Sequence, residues 1–540
     1  MFVEINWSFE MRSFLFAIIL ILLLVPAVSS DTMDNSAIEG EWVGQFELAG
    51  SSTFLRVHVK PTSSNVEATC DIPQRGQRGL EVTNIKLDGE IHFEIRLDGR
   101  LYTFEGQRKD QVTSGRVTSE GQSGTFELLR VAKVDPRTMA RYVGTYRFDT
   151  GAIAYVGPGG GYIDYSSGLF RSLTALSDSV FFFGHAREIS FPIESKIEFF
   201  TGSGGQVSGL RIETEGFPPK FARRFDVYSE EEVKFQNGTI TLAGTLLVPS
   251  SPGPHPAMVF VHAGGDQTRR SVGPAPYFFA VHGVEVLIYD KRGVAGSGGD
   301  WRDSTFNDLA GDALAAVELL KSRADIDKHH IGLWGISQGP WVAWLAAAQS
   351  HDIAFVIAVS GPAVTPAKQA LFTARNTLKD EGFGEHEINQ ALHFQLLLDE
   401  VMRGRKKMDV LAAEVRRVKD QRWFRFVEPP PPNDWSWKWW PKVMDYEPVP
   451  ILKRITQPML AIYGGVDKLV NVRETMPILK NALDTGQNRD HLIRLFPNAN
   501  HDLYEADIET SKRYALLKGF VPGYFDVMLE WLKRGHMIIN

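Results

Sequence analysis

The chain has 540 residues, more than one hydrophobic core accommodates, so roughly two to four domains are expected. Hydrophobic residues at 43% and charged residues at 23% are the balance of a folded globular protein, not of a disordered or fibrous one. A net charge of −7 argues against a nucleic-acid partner, which would be met by a basic face.

At the amino terminus Arg12 precedes Phe14 to Val25, twelve apolar residues, and then the small-residue stretch Pro26-Ala27-Val28-Ser29-Ser30. That layout is the pattern of a secretory signal peptide over residues 1–30 and implies a secreted or periplasmic protein. As a helix the apolar run reaches about 18 Å, short of a bilayer core of roughly 30 Å, so no stable membrane span is expected after cleavage. An uncleaved anchor is the alternative, since Ile5 and Trp7 lengthen the segment, and Met11 is an alternative start. Cys70 is the only cysteine, so no intramolecular disulfide is possible, and no cysteine follows the apolar run for lipid attachment.

Residues 38–226 read as β-structure. Segments such as 53–59 and 91–97 alternate apolar and polar residues, the period of strands with one buried face, and turn signals at 87–89, 97–99 and 203–205 separate them. Gly40-Glu41-Trp42-Val43-Gly44-Gln45-Phe46 is echoed by Arg141 to Phe148, suggesting two units, 38–134 and 137–226. The first, with its Gly-x-Trp opening, resembles small sandwiches and lipocalin-like barrels. Phe181-Phe182-Phe183 reads as core, or else as a ligand surface.

From Val227 the texture changes to strands alternating with helices over 227–540, which predicts a mostly parallel sheet flanked by helices. Continuous apolar runs at 256–262 and 283–290 suit strands buried on both faces. A helix is expected within 301–323, with Thr305 and Asp308 as a capping box and Leu309, Ala313, Leu314, Val317 and Leu320 on one face. Further strands are expected at 331–334, 353–359, 458–463 and 491–496. The alternation stops over 363–450, where three helical stretches (366–380, 384–403, 406–421) and the run Pro429 to Trp440 predict a helical cap inserted over the sheet's edge.

Gly335-Ile336-Ser337-Gln338-Gly339 falls between a strand and a helix, where flanking glycines permit a tight turn that lifts the serine hydroxyl off the sheet. A serine hydroxyl needs a base, and the base needs a carboxylate to orient it. Asp467 follows one later strand and His501 the next, so Ser337, Asp467 and His501 arrive in the order this architecture requires, at the same sheet edge. Asp502 also adjoins His501, but neighbouring residues rarely orient one another's rings. An oxyanion would be received by the backbone N–H of Gln338 and by one from the loop after Val261, with Gly264 preferred and Ala263 second.

The stretches FVHAGGDQTRR, YDKRGVAGSGGDW, HIGLWGISQGPW, AIYGGVDKLV and FPNANHDL resemble the α/β-hydrolase superfamily, near its exported dienelactone-hydrolase and prolyl-oligopeptidase-like esterases. The resemblance covers residues 230–540 and implies serine-dependent hydrolysis of a small-molecule ester through an acyl-enzyme, without metal or organic cofactor. It reads Asp290, Lys291, Arg292 and Gly293 as bracing the loop beside the site. Ala263 departs from the glycine that many relatives carry after the histidine. Among the cap's tryptophans, Trp435 and Trp437 are the candidates for a substrate pocket. Two alternatives stand beside the esterase: a prolyl-oligopeptidase-like serine peptidase, although 190 β-residues without a 40–50-residue repeat are too few for a propeller, and a non-catalytic ligand-binding protein on the same fold. Oligomeric state is left open.

Overall fold

A computed structural model describes residues 39–62, 66–87 and 90–535. The expected signal peptide, residues 1–30, and the tip of the turn at 88–89 lie outside the described residues. No helix among the described residues is long and apolar enough to cross a membrane.

Eight consecutive antiparallel strands between Gly40 and Arg130 close into a barrel, the first strand pairing with both the second and the last. Alternation puts Phe46, Phe93, Phe104 and Phe126 inside, with Phe93 and Phe104 stacked at 4.5 Å. Gly106 and Gly115 face each other across two strands, and a Cβ on either would strike the other strand's backbone at 2.3 or 2.1 Å, so the close approach requires glycine there.

The segments that echo one another in sequence take different structures. Gly40–Leu48 is a barrel strand, whereas Pro136–Tyr142 is a helix capped by Asp135, and only Gly144–Phe148 is a strand. That strand belongs to a nine-stranded antiparallel sheet spanning Gly144 to Arg224. Phe181 and Phe183 pack into this unit's core, while Phe182 points the other way, against Val43 and Phe54 of the barrel. All three are buried, so the run is core.

The remaining eight-stranded sheet begins with an antiparallel pair, Tyr228–Asn237 and Ile240–Pro249, and continues through six strands paired in parallel: Glu285–Tyr289, His255–Val261, Ile326–Ile336, Phe355–Val359, Met459–Gly464 and His491–Phe496. Its two faces follow the period of two: Ala257, Val259 and Val261 meet the helices Phe306–Lys321 and Gly339–Ala347, while Met258 and Phe260 meet Ala275–Val281 and Tyr524–Arg534. The capping box at Thr305 and Asp308 is formed, but Trp301–Asp303 is a separate 3-10 turn, because Asp300 caps it and Ser304 ends it.

Between the strands ending at Val359 and beginning at Met459 the chain leaves the sheet for the helices Pro366–Asp380, Glu385–Met402, Met408–Val418 and Ser436–Val443. The first three share a core of their own with Leu378, Phe394, Leu411 and Trp423.

Candidate active site

Parallel strands all deliver their carboxyl ends to one edge, and the loops after Val261, Ile336, Val359, Gly464 and Phe496 meet there. Ser337 sits directly after its strand with φ of 62°, a left-handed conformation that costs a non-glycine residue on the order of 1 kcal/mol. The flanking glycines make the turn possible. A Cβ on Gly335 would meet Gly339 backbone at 2.8 Å, and one on Gly339 would meet the Val261 carbonyl oxygen at 2.8 Å. The turn therefore folds on itself and rests on the neighbouring strand's end. The Ser337 N–H donates to the Val359 carbonyl at 3.0 Å, and Gln338 starts the helix Gly339–Ala347, whose positive end faces the serine.

His501 and Asp467 are joined directly, with Nδ1 2.8 Å from Oδ2. The Asp467 side chain is fully buried, and its other oxygen accepts the N–H groups of Leu469 at 2.7 Å and Val470 at 2.9 Å. With Nδ1–H given to Asp467, Nε2 is the nitrogen left to accept a proton. Asp502 does not touch the ring nitrogen Nδ1; its carboxylate accepts the hydroxyl of Tyr514. Burial disfavours the His501 imidazolium, but the charge and hydrogen bond of Asp467, with the charge of Asp502, outweigh it and hold the group up at about 9.

Gly264 and Gln338 lie side by side: a Cβ on Gly264 would stand 3.3 Å from Gln338 Oε1. The loop carrying Gly264 is held from below. Lys291 Nζ donates to the carbonyls of Ala263 at 3.0 Å and Gly265 at 3.1 Å, and lies 4.8 Å over the Trp301 ring. Pinning those two carbonyls fixes which way the intervening N–H groups point. Burial pushes the Lys291 ammonium down to about 7, opposed by Asp266 and reinforced by Arg302. Its neighbours brace the same region: Asp290 accepts from Arg269 and Gly296, and Arg292 forms a buried fork on Asp312. His262 is not a second base. Its Nε2 bonds to the Tyr289 carbonyl, and burial pushes it down to about 3.

The cap reaches the site on two sides. Gln369 and Thr373 donate to the Leu469 carbonyl and Asn376 to that of Lys468, tying the first cap helix to the Asp467 loop. Trp435, 40% exposed, stands edge-on to Trp301 at 5.0 Å, and Trp301 in turn donates its indole N–H to Asp266 beside the Gly264 loop. Trp437 gives its indole N–H to the Pro430 and Pro431 carbonyls and packs against the cap core. Sequence reasoning missed Ser360, whose hydroxyl donates to the His501 carbonyl at 2.7 Å, because a serine after a strand carries no motif. It also missed Gln369, Thr373 and Asn376, which make contacts about a hundred residues away in sequence. Among the described residues no three His, Cys, Asp or Glu side chains converge as metal ligands.

This sheet order, elbow and loop order are those of the α/β-hydrolase fold. Residues 252–507 match the family model described as serine aminopeptidase, S33. Among curated proteins the chain is similar to the esterase EstD of Thermotoga maritima, 24% identical over 303 residues, which cover 54% of this chain and 66% of that one. It is also similar to the polyketide transferase grgF of a Penicillium species, 31% identical over 123 residues, 22% of this chain and 41% of that one. The chain thus spans just under two thirds of the first relative's length and well under half of the second's. Among solved structures, the Pyrococcus furiosus esterase Pf2001 aligns over 57% of this chain and 93% of its own with a TM-score of 0.36 and 17% identity.

Proposed function

We propose that the protein is an exported serine carboxylesterase. Ser337 Oγ attacks the ester carbonyl carbon while its proton passes to His501 Nε2. The carbonyl oxygen becomes an oxyanion received by the backbone N–H groups of Gln338 and Gly264. The intermediate collapses as the carbon–alkoxide bond breaks, and His501 returns the proton to the departing alkoxide. Water then attacks the acyl-Ser337 with His501 again as base, and the carboxylic acid leaves.

The observation that carries this reading is the His501–Asp467 bond at the sheet edge that also presents the left-handed Ser337. The esterase EstD among the similar proteins supports the ester as substrate class. We place acyl or alcohol selection in the wall of Trp435, Trp301 and the cap, with Trp437 behind it. Hydrolysis of acyl esters of graded length, with acetylated sugars and aromatic esters, tests the proposal. Turnover of at least one class that disappears in Ser337→Ala is expected, and turnover surviving that change overturns it. Export is tested by the amino-terminal sequence of the mature protein, expected to begin near residue 31.

A second reading, a serine peptidase, draws on the match to the serine aminopeptidase model. It uses the same triad on an amide, so peptide amides belong in the same assay, and amide turnover exceeding ester turnover would favour it.

A further inference from the structure

The segment after His501 is where the three structural units meet. Leu516 packs on the cluster that joins Val43 and Phe54 of the barrel to Phe182, Ala186 and Ile189 of the second β unit. Along this strap, 514–521, the nine-stranded sheet pairs by its backbone: Arg187 N–H donates to the Leu517 carbonyl at 2.8 Å, Glu188 N–H to Ala515 at 3.1 Å, Phe170 N–H to Lys518 at 3.2 Å, and Phe520 N–H to Gly168 at 2.8 Å. The contact is too close for side chains, since a Cβ on Gly168 would meet the Phe520 carbonyl oxygen at 2.3 Å. Arg171, 3% exposed, spends its guanidinium on carbonyls: Gly184 at 2.9 Å, His185 at 3.1 Å and Phe170 at 3.1 Å on its own sheet, and Lys518 on the strap.

The strap's other edge holds the histidine loop. Glu505 N–H donates to Gly519 and Val521 N–H to Leu503, each at 2.8 Å. Tyr504 and Phe520 stack at 4.5 Å, and Tyr514 donates its hydroxyl to Asp502, next in sequence to His501. A strap with no long helix or paired strand of its own is thereby ordered from one side by the β units and orders the His501 loop on the other.

We propose that the two amino-terminal β units act as a positioning scaffold for His501 through this strap, with Arg171 and Tyr514 as its positioning residues. The proposal rests on the serine-esterase reading above. A histidine displaced by a fraction of an ångström loses rate without losing substrate affinity.

The test uses the full chain and four variants, Arg171→Met, Leu516→Ala, Leu516→Val and Tyr514→Phe, with melting curves, kcat and KM on the best ester, and the rate at which a fluorophosphonate phosphonylates Ser337. Arg171→Met and Leu516→Ala should lower kcat and the phosphonylation rate together by about tenfold or more, with KM within about twofold. Tyr514→Phe removes one hydroxyl between the strap and the His501 loop and reads that last link alone, while Leu516→Val trims the contact to the β units more mildly if the other two do not fold; a several-fold loss in the same two rates is expected of both. Folded variants that label and turn over at the parent's rate overturn the scaffold while leaving the triad standing. A parent protein that is not labelled at Ser337 overturns both.

Discussion

Ser360 donates its hydroxyl to the backbone carbonyl of His501 at 2.7 Å, one residue after Val359 accepts the N–H of Ser337. Ser337 and His501 are therefore hung from consecutive positions at a single strand end. Ser360 has φ of 48°, so the backbone is turned out of the strand to make this reach. Ser360→Ala should lower kcat about tenfold with little change in KM, and cost about 1 kcal/mol of stability from the unpaired carbonyl. Steady-state kinetics and a urea titration check both.

Much of this arrangement was legible in the sequence because each piece is local. The elbow needs Gly335 and Gly339 within two residues of Ser337, and the buried parallel strands announce themselves as apolar runs such as GVEVLIYD. What was not legible depends on distant contacts. Ser360 has meaning only because the strand Phe355–Val359 lies between Ile326–Ile336 and Met459–Gly464, whose further neighbour His491–Phe496 leads into His501. The echo around Arg141 stands at the start of the second β unit, but Asp135 and Pro136 make a capped helix start, so Arg141 and Tyr142 are helical and the strand begins only at Gly144. The choice between sandwich and barrel turns on whether Gly40–Leu48 meets Gln122–Arg130, a pairing across some eighty residues that alternation alone does not encode.

The pH dependence follows from His501. The ring acts as a base only when neutral, and Asp467 holds its protonated form up at about 9 despite burial. Below that limb kcat/KM should fall about tenfold per pH unit. Stability runs the other way: a folded pKa above the unfolded one near 6.5 gives a contribution complete below about 6.5 and lost as pH rises through about 9. Asp467→Asn should move the activity limb to lower pH, reduce kcat by orders of magnitude, and remove the extra stability at pH 6. Rate profiles and melting temperatures at pH 6 and 9 measure these effects.

Lys291 gives a separate handle on the loop that carries Gly264, the proposed oxyanion donor. Lys291→Met keeps the apolar stem over Trp301 but frees the carbonyls of Ala263 and Gly265. The expected outcome is a fall in kcat of about tenfold to a hundredfold, smaller than loss of an oxyanion donor would give in full, with KM within about twofold. An unchanged kcat in the folded variant would show that the loop keeps its aim without the ammonium.

Trp435 is 40% exposed, edge-on to Trp301 at 5.0 Å and with the Arg302 guanidinium 5.5 Å over its ring; in the proposed pocket wall it would meet an aromatic acyl or alcohol group. Trp435→Ala should reduce kcat/KM for aromatic esters about fivefold to tenfold, the worth of one aromatic contact, and leave short acetyl esters nearly unchanged. A parallel assay of the two ester classes reads the ratio.

The role of Ser337 as nucleophile is read most directly by mass spectrometry of the intact protein and its peptides after reaction with a fluorophosphonate, run beside ester hydrolysis. The expected result is one phosphonyl group, carried on Ser337, loss of ester turnover on labelling, and a Ser337→Ala protein that folds, takes no label and retains less than about a thousandth of the activity. An unlabelled Ser337 in the folded parent, or full ester turnover in Ser337→Ala, would contradict it.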